Sequence, residues 1–184
     1  MKEVCWIYSV NLQSQSLNSH ILKKTVYLIR HAKSSWKDLS LEDINRPLNK
    51  RGRRDAPIMA TRLSKMQIKP DAIISSPAKR AYATATIFAE VLGVHTVIED
   101  ASIYEAFPST IFHLIQNLSA TLNTVLIFGH NPTITSIANS FGSTYIDNVP
   151  TCGILHIEAT IDDWANFNKE NGILKAFYYP KQQG

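Results

Sequence analysis

Cysteine is scarce: Cys5 and Cys152 are the two thiols in 184 residues. Two thiols supply neither a disulfide framework nor a metal-ligand spacing, so a reducing, cytoplasmic setting is expected. The chain also lacks any run of about 18 apolar residues, which excludes a membrane-spanning helix. Charge is modest in amount and balance, at 18% charged residues and a net +4. No basic platform interleaved with aromatics and no finger spacing is present, so nucleic acid is not an expected partner. No internal repeat and no interdomain linker divides the sequence. With 45% apolar residues, the composition is that of an ordinary soluble globular protein, long enough to bury a full core.

Residues 1–24 differ from the rest of the chain. Their Ser/Asn/Gln-rich stretch has no period, and they read as a loose N-terminal extension. From Thr25 onward, a single domain over 25–184 is expected, with strand and helix patterns in alternation, the mark of a layered α/β fold. Thr25–Ile29 is a short β-branched and aliphatic run, the pattern of a strand buried on both faces. Asn49 is placed to cap a helix running to about Gln67, kinked at Pro57. Strands are expected over Asp71–Ser75, Val94–Glu99 and Thr124–Phe128. Ser76-Pro77 reads as the cap and first residue of a further helix, whose packing face is Ala81, Thr84, Ala85, Phe88 and Leu92. Helices near Ser109–Leu118 and Thr133–Phe141 come next. Two edge or antiparallel strands, Gly153–Ala159 and Ile173–Tyr179, end the chain.

The chemistry gathers where strands end. In open α/β sheets, ligands bind at the carboxyl ends of strands. There the sequence places Arg30-His31, Ser75-Ser76-Pro77-Ala78-Lys79-Arg80 and Gly129-His130-Asn131-Pro132. Lys79 and Arg80 fall in a first helical turn, where the helix dipole already disfavours cations by a few tenths to ~1 kcal/mol. A bound anion removes that conflict, because helix N-termini, arginine and phosphate suit one another. Arg46, Lys50, Arg51, Arg53 and Arg54 form a second basic cluster, which suits a small phosphorylated substrate as well as a solvated face.

Four motifs occur in order: Arg30-His31, Arg46-Pro47-Leu48-Asn49, Ser76-Pro77-Ala78-Lys79-Arg80-Ala81 and Gly129-His130-Asn131. In that order they resemble the histidine phosphatase, or phosphoglycerate mutase-like, superfamily. The runs RHAKSSW and RPLNKRG are similar to its SixA-like phosphohistidine phosphatases, and the resemblance covers about Lys24 to Pro180. It implies a three-layer α/β/α sandwich with a mostly parallel central sheet and an antiparallel edge. It makes His31 the nucleophile that becomes phosphorylated. Arg30, Arg46 and Arg80 grip the phosphoryl oxygens, His130 gives a further hydrogen bond, and Glu105 stands where many members place a proton donor. No metal and no cofactor is called for. The expected partner is a phosphorylated substrate, with phosphohistidine on a protein favoured. A phosphatase of a small phosphomonoester and a non-catalytic phosphate-binding or protein-binding module are the alternatives. One departure stands out: the third residue of the usual Arg-His-Gly motif is Ala32, which would be strained if the backbone there required a positive φ.

Overall fold

A computed structural model describes residues 23–141 and 144–181. The expected N-terminal extension, apart from Lys23 and Lys24, lies outside the described residues. Those two open β1 (Lys23–Arg30). Lys24 is fully buried, and its ammonium donates to Ala120 O, Leu122 O and Asn123 Oδ1 at 2.6, 2.8 and 3.0 Å. Its three donors are thereby all used.

After β1 the chain runs through α1 (Lys50–Lys65), β2 (Ala72–Ser75), α2 (Lys79–Leu92) and β3 (Ile98–Glu99). It continues with α3 (Pro108–Gln116), β4 (Thr124–Gly129), α4 (Thr133–Phe141), β5 (Ile154–Thr160) and β6 (Gly172–Tyr178). The six strands form one sheet in the order β3-β2-β4-β1-β5-β6. Pairing is parallel from β3 to β1 and antiparallel at β1–β5 and β5–β6. Mostly parallel with an antiparallel edge, the sheet is the one expected.

Strand alternation sends side chains to both faces. Tyr27 and Ile29 of β1 join Ala56, Met59, Ala60 and Leu63 of α1 and Phe88 of α2 on one side. Val26 and Leu28 join Ile111 and Ile115 of α3, Ile134 and Ile137 of α4, Trp164 and Phe167 on the other. The buried positions 56, 59, 60 and 63 show the 3.6 period of a helix lying on a core. Helices on both faces complete the three layers.

Three local expectations shift. The strand expected over Val94–Glu99 shrinks to Ile98 and Glu99, which pair with Ile74 and Ser75, while Val94 N closes the end of α2 on Ala89 O. The helix expected to start at Pro77 starts at Lys79. Ser76 does not cap it: its hydroxyl sits 2.8 Å from His130 Nε2 and accepts from Ala78 N. Asn49 does cap α1, its Oδ1 accepting from Gly52 N at 2.9 Å, and the helix continues through Pro57.

Candidate active site

The three strands whose ends carry the motifs are neighbours, in the order β2-β4-β1. Arg30 and Gly129 are register partners, so His31 and His130 leave the sheet side by side. Their ring centroids are 5.1 Å apart. The topology thus assembles two histidines from residues 99 positions apart in the chain, and α2, following β2, brings Arg80 to both. Arg80 is 7% exposed. Its Nε donates to His31 Nε2 at 3.2 Å, and its NH2 group lies 3.5 Å from His130 Nδ1.

His31 is held in one tautomer. Its Nδ1 is 2.8 Å from Ala32 O, which can only accept, so Nδ1 carries the hydrogen and Nε2 keeps the lone pair. Burial lowers its pKa to about 3; the bond to Ala32 O opposes this, and His130, Arg80 and Arg30 add to it. The imidazole is neutral at neutral pH, the state a nucleophile needs. His130 is lowered to about 4, by burial first and then by Arg80, with Asp43 opposing and Arg30 assisting.

The loop after His31 is tied from two sides. Ala32 N donates to Thr84 Oγ1, which donates to Arg80 O, while Cys152 N bridges Arg30 O and His31 O. Ala32 is fully buried and is not among the described residues with positive φ. Alanine therefore sits in place of the usual glycine without backbone strain.

Arg30 precedes His31 in the chain, and Arg46 is linked to Arg80 through Asp43. Arg30 NH1 donates to Val149 O at 2.7 Å and Asn148 Oδ1 at 3.2 Å, while its buried Nε has no partner. A buried donor without an acceptor costs about 1–3 kcal/mol. Arg46, 6% exposed, donates from Nε to Ser35 O and from NH2 to Ser34 Oγ, and Trp36 stacks on its guanidinium at 3.2 Å. Trp36 is thus part of the arginine's seat.

Glu105 reaches the rim rather than the centre. It is exposed, adopts φ 56°, and lines a cavity of about 540 Å³ with Asp43, Arg80, Tyr104, Phe107 and His130. Among the described residues no hydrogen bond holds its carboxylate. Sequence reasoning missed Asp43. This carboxylate takes Arg46 NH1 at 2.6 Å and Arg80 NH2 at 2.7 Å. It lies three residues before the RPLN motif with no pattern of its own to mark it.

The family model of the histidine phosphatase superfamily (branch 1) matches residues 26–111. An uncharacterized chloroplastic protein of Arabidopsis thaliana is 33% identical over 154 residues, which are 78% of this chain and 70% of that one. A SixA structure from Agrobacterium tumefaciens superposes with a TM-score of 0.73 at 25% identity, covering 85% of this chain and 98% of that chain. A protein histidine phosphatase SixA complexed with tungstate gives 0.71 at 18%, covering 85% and 97%, a likeness of fold. The chain belongs to the histidine phosphatase superfamily and is SixA-like, with the phosphoglycerate mutase-like fold. That family supports a phosphatase.

Proposed function

We propose that the protein hydrolyses phosphohistidine on a protein, through a covalent phosphohistidine at His31. The observation that carries this reading is the guanidinium of Arg80 set 3.2 Å from the unprotonated Nε2 of a neutral imidazole. Nε2 attacks phosphorus in line with the leaving nitrogen. The new N–P bond forms as the substrate's N–P bond breaks, and the departing imidazole keeps a proton. Water then attacks the phosphorylated His31, the Nε2–P bond breaks, and inorganic phosphate leaves with restoration of the neutral ring. Arg30, Arg46 and Arg80 carry the charge of the equatorial oxygens, and His130 adds a hydrogen bond. Phosphoryl transfer depends on such positioning and positive potential, and three guanidinium groups supply it without a metal. A cytoplasmic setting belongs to the same reading, with the low cysteine count as its support.

A phosphomonoester substrate is the second reading, favoured by Glu105 on the cavity rim. An imidazole, with a reference pKa near ~6.5, leaves readily once protonated, whereas an alkoxide needs a positioned acid. Glu105→Gln separates the two. On the phosphohistidine reading, the variant hydrolyses a phosphohistidine peptide within about threefold of wild type. Its turnover of an alkyl phosphate falls about 10²-fold, within the range for general acid catalysis. Wild-type turnover of alkyl phosphates without phosphohistidine turnover transfers the assignment to phosphomonoesters. No turnover of either makes the chain a phosphate-binding module.

A further inference from the structure

Asp43 is the first residue of a short 3-10 turn, Asp43–Asn45, between β1 and α1. Its Oδ1 accepts from Arg46 NH1 at 2.6 Å, and its Oδ2 accepts from Arg80 NH2 at 2.7 Å and Tyr104 OH at 3.1 Å. Its backbone carbonyl takes Arg80 NH1 at 2.6 Å. One residue thus closes the outer edge of the Arg80 guanidinium with two acceptors. The inner edge, Nε and NH2, is left facing His31 Nε2 at 3.2 Å and His130 Nδ1 at 3.5 Å.

We propose that Asp43 is a positioning residue of the phosphoryl-transfer site, which bridges Arg46 and Arg80 and turns the Nε edge of Arg80 onto His31. The inference rests on the phosphatase reading of that site. Arginine is a long side chain with many rotamers, and its planar fork is useful only in one orientation. A carboxylate presenting one oxygen to each of two guanidinium groups sets both orientations at once. It also offsets the repulsion between two cations gathered on one ligand. Partial burial raises the Asp43 carboxyl, but the hydrogen bond and charge of Arg80, followed by Tyr104 and Arg46, outweigh it and hold the group below its ordinary range. Asp43 therefore stays ionised and serves poorly as a proton donor, which separates its role from that assigned to Glu105. Tyr104 supports it at the oxygen that Arg80 also uses, its ring edge-on to His130 with centroids 5.7 Å apart.

A competing picture makes Asp43 a plug that phosphate must displace. The two pictures give opposite signs for anion binding. The test uses full-length D43N, D43A and Y104F, each checked by circular dichroism. Turnover of a phosphohistidine peptide, tungstate affinity by calorimetry and the NMR signal of the Arg80 Nε–H are measured. If Asp43 positions the arginines, kcat/KM of D43N and D43A falls about 10–100-fold, mostly in kcat, the scale of a misplaced reacting group. Tungstate then binds more weakly and the Arg80 Nε–H loses its protected resonance, while Y104F moves all three the same way by less. Y104F decides the matter if the Asp43 variants do not fold. Tighter tungstate binding with undiminished turnover, or an unchanged Arg80 resonance, overturns the proposal. If wild type turns nothing over, the phosphatase reading falls, while the tungstate and NMR results still decide whether Asp43 orients Arg80.

Discussion

Replacing Arg80 by alanine lowers kcat/KM by about 10³-fold or more, the scale on which an arginine stabilises a phosphoryl-transfer transition state. The Arg80 side chain touches three parts of the site and its backbone a fourth. Arg80 contacts His31 and His130 through its Nε and NH2, Asp43 through NH1 and NH2, and Thr84 through its backbone carbonyl. Alanine leaves His31 without its neighbouring cation and Asp43 without one of its two guanidinium partners. Arg80→Lys recovers little, since a point ammonium cannot serve His31 and Asp43 from one rigid plane. Steady-state kinetics on a phosphohistidine peptide, with thermal melts to confirm folding, checks both variants. A folded Arg80→Ala enzyme within tenfold of wild type contradicts the role given to this arginine.

Gly52→Ala carries the largest expected loss of stability. A Cβ at Gly52 would sit 2.3 Å from Lys33 O, 3.0 Å from Lys33 N and 3.1 Å from Lys33 C. These are backbone atoms, so no rotamer change relieves the clash. Lys33 O also accepts from Asn49 N, and Ser34 O from Asn49 Nδ2. The start of α1 is therefore docked directly on the loop that follows His31. Overpacking of this kind costs typically about 1–3 kcal/mol, and the backbone location puts Gly52 at the upper end. For a chain of this size that is a fall in Tm of roughly 5–10 °C. Turnover drops as well, because the displaced loop carries Ala32 O, the acceptor that sets the His31 tautomer. An unchanged melt for Gly52→Ala contradicts this close docking.

These two residues illustrate what the sequence disclosed and what it withheld. Arg80 was legible as a cation in a first helical turn, an arrangement that calls for an anion, and α2 does begin at Lys79. His31 and His130 were legible as strand ends, since β1 and β4 are runs of apolar residues stopped abruptly by polar ones. Gly52 was visible as part of the RPLNKRG run, but the carbonyl it must clear belongs to a loop that only the fold brings near. Asp43 was silent for the same kind of reason: its partners lie three, 37 and 61 positions away, and an acidic residue in an exposed loop has no periodicity. Ser76 shows local logic overridden, for a Ser-Pro pair that reads as a helix cap spends its hydroxyl on His130 instead.

The most direct test of the central claim is mass spectrometry of enzyme mixed with phosphoramidate or a phosphohistidine peptide and quenched without acid, wild type beside His31→Ala. A transient phosphate adduct mapping to His31, and its loss together with turnover in the variant, is the result this account predicts. Turnover that survives in a folded His31→Ala enzyme, or an adduct on another residue, contradicts it.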